Sequence, residues 1–333
     1  MSDAALPDFL PSRCAGRSGL MLPPLSLGLW QNFGRTRSFE SQRELILAAF
    51  EAGVWHFDNA NRYGPPHGWA EEVLGRVISE DLAAYRNLLV VSTKAGNPIM
   101  NGPYGRGGSR KHLLESLDDS LKRLNLDHVD IFYSHSPDKD VPLEETVAAL
   151  AHTVTSGKAL YVGISNYGAE ATAEVARLLA SLGVPLVLHQ HKYSLLHRDP
   201  ETNGVHRTLR ENSISGIVYS PLAQGLLTDR YLTGRVPSGA RAESSVFLTA
   251  DFLTQEYLAY VQALADVAAE RSQTVAQLAL QWVMRDPTIA SAIIGVSSVA
   301  QLHANLAALN SPPLDDETVT RLKGLSLQGR LGH

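Results

Sequence analysis

Cysteine and charged residues are both scarce in this chain. Its 333 residues include one cysteine, Cys14, so no disulfide can form within the chain, which is typical of a reducing compartment. Charged residues make up 19% and the net charge is -5, without the basic runs that nucleic-acid binding needs. We therefore expect no nucleic-acid partner.

Long apolar runs are also missing. No apolar stretch approaches the roughly 20 residues of a membrane span, and Met1-Ser2-Asp3-Ala4 lacks the basic and apolar regions of a secretory signal. A cytoplasmic protein with no membrane partner is therefore expected. Hydrophobic residues still make up 44% of the chain, enough for a large core. The length suits one α/β barrel, so residues 1–333 are predicted to form a single domain.

Short apolar segments alternate with segments of helical periodicity from residue 25 onward. The apolar segments predict eight strands, at 25–30, 54–58, 88–94, 129–135, 159–164, 186–188, 216–219 and 290–294. Helices are predicted at 39–52, 69–79, 109–124, 142–156, 169–182, 254–270, 274–286 and 315–325. Eight such βα units predict an α/β fold of the (β/α)8 TIM-barrel type.

Two segments lie outside this repeat. Residues 9–22 predict an N-terminal β-hairpin that is an appendage to the barrel. Residues 223–253, after strand seven, form a long loop rich in Gly, Ser, Thr and Arg, and such loops are usually functional or disordered. A doubly wound sheet is the rival fold, but Gly28-Leu29-Trp30-Gln31-Asn32 after the first strand is not the G-x-G-x-x-G turn.

Ionisable side chains stand at the ends of three successive predicted strands. Asp58 ends the second strand and is followed five residues later by Tyr63, Lys94 ends the third, and His135 ends the fourth. Each residue alone fits a helix cap, a surface charge or a structural histidine. Since the active sites of barrels lie at the carboxyl ends of the strands, their coincidence predicts one pocket that holds all four.

These segments resemble the aldo-keto reductases. The resemblance rests on Asp58 to Gly64 and on the strand ends Ser92-Thr93-Lys94 and Asp130 to His135. It continues through Gly163-Ile164-Ser165-Asn166, Ser220-Pro221-Leu222 and Ile294-Gly295-Val296-Ser297, and it covers about Arg13 to Asn310. Within the family, Tyr63-Gly64-Pro65-Pro66, residues 92–96, 102–105, 107–111 and 156–165 look most like bacterial L-glyceraldehyde 3-phosphate reductases. That branch is similar to the β-subunits of voltage-gated potassium channels.

The resemblance implies hydride transfer from NADPH to an aldehyde or ketone, such as L-glyceraldehyde 3-phosphate or methylglyoxal. It implies that Tyr63 is the general acid and that Lys94 makes it a stronger acid by stabilising the phenolate. Asp58 would pair with Lys94, and His135 would donate to the carbonyl oxygen and orient the substrate.

The resemblance also implies the cofactor residues. Ser165, Asn166 and Gln190 would hold the nicotinamide carboxamide, and Tyr219 would stack on its ring. The remaining NADPH/NADP+ positions are Trp30, Asp58, Ser220, Leu222, Gln224, Arg230, Arg241, Ser297, Gln301 and Asn305. Arg230 replaces a common Lys, Ser298 a common Lys or Arg, and Ala304 a common acid. These departures leave the preference for NADP over NAD open, with Arg230 and Arg241 as cations that could restore it.

The substrate residues follow less directly. Trp30 and Trp69 lie in the first two βα loops and would either wall the pocket or be ordinary buried rings. Arg62, Arg106 and Arg110 are the candidates for binding a substrate phosphate. The resemblance to ring-forming β-subunits is also compatible with a homo-oligomer.

Three other functions are compatible with parts of the sequence. A metal-dependent hydrolase would use His189 and His191, but Gln190 would then face away from the pocket, so no metal is expected. A Schiff-base aldolase would use Lys94, which pairing with Asp58 would keep charged and non-nucleophilic. A non-catalytic redox-sensing subunit would keep all four pocket residues.

Overall fold

The computed structural model describes residues 6–232 and 253–325. Eight parallel strands close into a barrel in the predicted order, and the last strand pairs with the first. The barrel strands are β3 (Leu25–Gly28), β4 (His56–Asp58), β5 (Val90–Ala95), β6 (Val129–Ser134), β7 (Ala159–Ser165), β8 (Leu186–Lys192), β9 (Ser215–Tyr219) and β10 (Ile289–Ile294). The predicted (β/α)8 barrel is therefore confirmed.

Helices surround the barrel on its outer face. They are α1 (Phe39–Glu51), α2 (Trp69–Val77), α3 (Arg110–Leu124), α4 (Leu143–Thr155), α5 (Ala169–Ser181), α6 (Asp199–Thr202), α7 (Val205–Glu211), α8 (Gln255–Glu270), α9 (Val275–Met284), α10 (Val299–Leu306) and α11 (Asp316–Gly324). Side-chain caps fix where several of them begin, because a hydroxyl or carboxylate oxygen accepts from a free backbone N–H of the first turn. These caps are Ser38, Ser109, Thr254, Thr274, Ser298 and Asp315.

The predicted boundaries agree with these bounds to within two residues, apart from the end of the strand predicted at 186–188. The strand predicted at 186–188 runs on to Lys192, because the polar residues 189–191 still pair with β9. Helix α2 ends at Val77 and continues as a turn of π-helix over Ile78–Leu82.

The N-terminal hairpin is present but shorter than residues 9–22. Only β1 (Arg13–Cys14) and β2 (Met21–Leu22) are paired. Leu20 and Leu22 pack with Trp55, Val90 and other barrel residues in one buried cluster, so the hairpin closes the amino-terminal end of the barrel. The Arg13 guanidinium donates to the carbonyl oxygens of Ile289 and Met284 at 2.7 and 2.9 Å, which fixes it there.

The loop after β9 is described only in part. Its first ten residues contain two short 3-10 turns, at Ala223–Gly225 and Asp229–Tyr231. Arg241, predicted to bind cofactor, lies outside the described residues. Within residues 6–232 and 253–325, no helix has the length and apolar character needed to cross a membrane.

Candidate active site

The carboxyl ends of β4 and β5 bring Asp58, Lys94 and Tyr63 together. The Lys94 ammonium is fully buried, and it donates to Asp58 Oδ2 at 2.7 Å, the Asn59 carbonyl at 2.7 Å and Tyr63 Oη at 3.2 Å. An ammonium has three N–H groups, so these contacts use all of them. The bond to Tyr63 uses the phenol oxygen as acceptor and leaves the phenolic proton available for donation.

His135 completes the predicted pocket. Its ring centroid lies 6.1 Å from that of Tyr63, with the two rings 75° apart. Its peptide N–H donates to the carbonyl of Ala95, at the end of the neighbouring strand, which fixes the start of the loop. The structure therefore brings these four side chains together at the carboxyl ends of β4, β5 and β6.

Burial sets the resting protonation states of this pocket. It raises the pKa of the Tyr63 phenol well above its usual range, and the charge of Asp58 adds to the effect. Burial, then the charges of Lys94 and Arg62, hold the pKa of His135 well below its usual range. At neutral pH Tyr63 is therefore a protonated phenol and His135 a neutral imidazole, which suits an acid and a hydrogen-bond donor.

The proposed effect of Lys94 on Tyr63 concerns the phenolate rather than the resting phenol. The resemblance led us to expect that Lys94 makes Tyr63 a stronger acid by stabilising the phenolate, and in the resting site burial, followed by the charge of Asp58, raises the pKa of the phenol. Burial also lowers the pKa of Lys94, against the opposing charge and hydrogen bond of Asp58. Lys94 can therefore favour the phenolate only as the proton leaves Tyr63.

Polar side chains from β7, β8 and β9 adjoin the pocket. Gln190 donates to Asp58 Oδ1 at 3.0 Å, so it faces the pocket as expected. The Asn166 amide donates to the His135 carbonyl and to Ser165 Oγ, each at 3.0 Å. Tyr219 Oη donates to Asn166 Oδ1 at 2.8 Å. The four residues predicted around a nicotinamide therefore form one surface next to Asp58 and His135.

Strained backbone marks the same surface. Asn166, Ser220, Ala223 and Gln224 have φ angles between 46° and 66°, in the left-handed region that residues with a Cβ seldom adopt. Such residues cost free energy and cluster at ligand sites. Leu222 lies within this strained turn and is buried, and Arg230 beyond it is exposed.

A second polar region surrounds the start of α10. Gln301 Oε1 accepts from the Ser297 backbone N–H at 2.8 Å and from its hydroxyl at 3.1 Å, while Ser298 caps the helix. Asn305 is buried, and its Nδ2 has no hydrogen-bond partner in the described part of the chain. Ser297, Gln301 and Asn305, which the resemblance to the aldo-keto reductases assigned to the cofactor, are therefore close together.

Arg37 is a cation in this second region that the sequence analysis missed. It lies in the loop between β3 and α1, and its guanidinium donates to the Ser297 carbonyl at 2.9 Å. The two residues are 260 positions apart, and they meet because β10 closes the barrel against β3. No local motif marks Arg37, so only the ring closure could have indicated it.

The predicted substrate residues differ in where they lie. Trp30 is 37% exposed in the first βα loop, and Trp69 is partly buried with the Arg35 guanidinium 4.5 Å from its ring centroid. Arg62 is exposed and close enough to His135 to lower its pKa. Arg106 is exposed too.

Arg110 does not fit a phosphate-binding role. Its guanidinium lies 3.4 Å from the Ala148 carbonyl on α4, and its backbone N–H donates to Glu145. This residue begins α3, so its contacts are with the neighbouring helix rather than with the pocket.

The geometry opposes two of the alternative functions, the metal-dependent hydrolase and the Schiff-base aldolase. His189 and His191 contact each other through their Nδ1 atoms at 3.0 Å, and their Nε2 atoms contact Tyr167 O and His206. Within the described residues no group of three or more His, Cys, Asp or Glu side chains could hold a metal ion. The three acceptors around Lys94 likewise oppose a Schiff-base role, since an ammonium has no lone pair for attack.

Comparison with known proteins defines the class of this chain. The aldo/keto reductase family model matches residues 24–326, so the chain belongs to the aldo/keto reductase family and is an oxidoreductase. It is 48% identical over 323 residues to L-glyceraldehyde 3-phosphate reductase of Escherichia coli O157:H7, covering 96% of this chain and 93% of the relative.

More distant relatives carry a different name. The chain is 37% identical over 306 residues to a probable voltage-gated potassium channel subunit beta of Oryza sativa subsp. japonica, covering 90% of this chain and 91% of that protein. A protein of the same name from Arabidopsis thaliana is 35% identical over 304 residues, with coverage of 90% and 91%. The family and the reductase relatives support carbonyl reduction as the general reaction of this protein.

Proposed function

We propose that this protein uses NADPH to reduce small aldehydes, and that Tyr63 donates the proton that completes the alcohol. The observation that carries this proposal is the buried chain of hydrogen bonds from Asp58 through Lys94 to Tyr63. An ammonium held 3.2 Å from a phenol oxygen by a buried carboxylate stabilises the charge that develops when the phenol gives up its proton.

Each member of the pocket has a part in this reaction. When bound, the nicotinamide supplies the hydride. The Tyr63 phenol is protonated at rest and gives its proton to the substrate oxygen, while Lys94 stabilises the phenolate that remains. The neutral His135 imidazole orients the carbonyl oxygen through an N–H donor. A general acid placed in this way contributes about 10²–10⁴-fold in rate.

The residues around the pocket fit a dinucleotide. The strained turn at Ser220 to Gln224 and the amides of Asn166 and Gln190 offer polar groups beside the pocket. Buried Gln224 Oε1 and Asn305 Nδ2 have no hydrogen-bond partner among the described residues, and such atoms are costly unless a ligand satisfies them. We assign the nicotinamide to the first group and the adenosine to the second.

Arg37 gives the proposed NADP preference a physical basis. The N-terminus of α10 favours an anion, and Arg37 adds a full positive charge beside Ser297. Arg37 would thus supply, next to the 2′-phosphate of NADPH, the positive charge that a Lys or Arg commonly supplies at the position of Ser298.

Arg37→Ala should weaken NADPH binding about tenfold, the value of one charge-assisted hydrogen bond, and leave NADH binding unchanged. Calorimetric titration measures both affinities, and Arg35→Ala, two residues earlier in the same loop, is the matched control. Equal affinities of the wild-type protein for NADPH and NADH would show that Arg37 confers no preference.

The proposed substrates are small aldehydes such as L-glyceraldehyde 3-phosphate or methylglyoxal. One similar reductase is named for the first of these compounds. In this chain, the charge of the exposed Arg62 lowers the pKa of His135. Arg62 is therefore placed to hold a phosphate beside the reacting carbonyl. Trp30 and Trp69 are proposed to wall the same side of the pocket.

Consumption of NADPH in the presence of these aldehydes tests the proposed function. L-glyceraldehyde 3-phosphate, methylglyoxal and unphosphorylated glyceraldehyde should each be reduced, the first with the lowest KM. Arg62→Ala should raise the KM for the phosphorylated aldehyde alone. Tight NADPH binding without reduction of any aldehyde would instead favour the non-catalytic redox-sensing subunit, with which the potassium-channel relatives agree.

A further inference from the structure

The interior of the barrel contains a line of buried polar side chains below the proposed pocket. Ser291 Oγ lies 2.6 Å from Ser26 Oγ, and Ser26 Oγ lies 2.7 Å from His56 Nδ1. His56 Nε2 lies 3.1 Å from Ser92 Oγ, and Ser92 Oγ donates to Asp58 Oδ1 at 2.9 Å. The exposure of each of these residues is at most 1%, so these contacts are shielded from bulk water.

Alternation along the strands explains why these residues meet. His56 and Asp58 are two residues apart on β4, as Ser92 and Lys94 are on β5, so each pair points into the barrel. Asp58 and Ser92 are register partners across the β4–β5 ladder, which places the hydroxyl beside the carboxylate.

Only one assignment of donors and acceptors fits this line of hydrogen bonds. A carboxylate only accepts hydrogen bonds, so the single Ser92 proton goes to Asp58, and Ser92 must accept from His56 Nε2–H. Burial lowers the pKa of His56 to about 4, so its Nδ1 carries no proton and accepts from Ser26. Ser26 in turn accepts from Ser291, and every donor points toward Asp58.

We propose that His56 and Ser92 are positioning residues for the reaction, which hold Asp58 so that Oδ2 is directed at Lys94. Ser92 and Gln190 both donate to Oδ1, and among the residues that the structure describes Lys94 alone donates to Oδ2. With Oδ1 occupied in this way, Asp58 draws Lys94 less strongly, and the ammonium remains within reach of Tyr63 Oη. This inference rests on the proposed function of Tyr63 as the acid.

Removal of the Ser92 hydroxyl should alter the reaction without altering substrate binding. Ser92→Ala is expected to lower kcat about tenfold, since small displacements of a catalytic group are costly, and to leave KM unchanged. The Lys94 ammonium would lie closer to Asp58 and farther from Tyr63, so the pH profile of alcohol oxidation by NADP+ should shift to higher pH. Ser92→Thr, which keeps the hydroxyl, should restore both values.

Thr93→Val is the matched control on the same strand. Thr93 is also fully buried, and its hydroxyl also donates to a buried carboxylate, that of Glu71, but it faces the helices. Thr93→Val should therefore lower the free energy of unfolding by about as much as Ser92→Ala does, while keeping the wild-type kcat and pH profile. Equal changes in the two variants, or an unchanged Ser92→Ala, would overturn the proposal.

The protonation state of His56 tests the direction of these hydrogen bonds without an activity measurement. Two-bond ¹H–¹⁵N spectra of the cofactor-free protein should show a neutral imidazole protonated at Nε2, with His56→Gln identifying the signal. Protonation at Nδ1 would overturn the proposal. His56→Leu should repeat the kinetic effect of Ser92→Ala. If wild-type protein binds NADPH but reduces no aldehyde, the proposed function fails, whereas full activity in both variants refutes the positioning role alone.

Discussion

Lys94 is the residue on which the charges of the pocket depend. It is fully buried and makes an ion pair of 2.7 Å with Asp58, whose side chain is 2% exposed. The two charges stabilise each other, because neither is exposed to bulk water. Replacing one partner would leave the other as an isolated buried charge, which is among the most destabilising changes in a protein core.

Lys94→Met is therefore expected to lower the free energy of unfolding by about 3–5 kcal/mol and to abolish aldehyde reduction. The double variant Asp58→Asn/Lys94→Met should lose less free energy of unfolding than the two single variants lose in total, because no unpaired charge remains. Urea unfolding of the four proteins gives this coupling. Simple additivity would show that the pair is not coupled in the folded state.

The ionisable residues of the pocket could be predicted from the sequence, but the buried polar residues beneath them could not. Asp58, Lys94 and His135 could be predicted because they follow apolar strands, and the barrel brings the ends of its strands together. His56 and Ser92 lie inside the predicted strands, where a single polar residue has no distinctive pattern. The H-x-D and S-x-K spacings, which place both members of each pair on one face, were the signal that could have indicated them.

Protonation states could not be predicted from the sequence either. A phenol beside a lysine suggests a lowered pKa, whereas the depth of burial at Tyr63 gives the opposite direction. Burial depends on the packing of all eight βα units, and no local pattern reports it.

At the scale of elements, α2 and α3 cross at Gly75. A Cβ atom at this position would lie 2.5 Å from the Leu124 carbonyl oxygen and 2.6 Å from that of Arg123. Both are backbone atoms at the end of α3, so no side-chain movement could relieve the overlap. The close approach holds α2 in place immediately after the loop that carries Tyr63.

Gly75→Ala should lower the free energy of unfolding by about 1–3 kcal/mol or more, because the helices must separate. Gly324→Ala, at the end of α11, is the control, since no described atom beyond its chain neighbours and its own helix backbone lies within 4 Å of its added Cβ. That variant should stay within about 1 kcal/mol of the wild-type protein. Thermal unfolding of both compares them, and an undiminished stability of Gly75→Ala would contradict the crossing described here.

At the scale of the whole molecule, buried histidines couple stability to pH. Burial lowers the pKa of both His56 and His189 to about 4, and it also lowers the pKa of His135. In the unfolded chain these groups titrate near their ordinary value of about 6.5. Between these two values the unfolded state binds more protons than the folded state, so stability falls as the pH falls.

The free energy of unfolding should therefore decrease as the pH is lowered from about 6.5 toward 4, by up to about 1.4 kcal/mol per pH unit for each such histidine. Urea unfolding at pH 7.5, 6.0 and 5.0 measures the slope. His189→Gln should reduce it, whereas His152→Gln, at an exposed position on α4, should not. A stability that is independent of pH across this range would mean that these histidines are already charged in the folded protein.

The most direct test of the proposed reaction compares wild-type protein with Tyr63→Phe at saturating NADPH. The phenol oxygen accepts from Lys94, so loss of the hydroxyl removes the proton donor and leaves one N–H of the Lys94 ammonium without its acceptor. The variant should bind NADPH with unchanged affinity and reduce aldehydes about 10²–10⁴-fold more slowly. Aldehyde reduction at the wild-type rate by Tyr63→Phe would show that Tyr63 is not the acid and would contradict the mechanism proposed here.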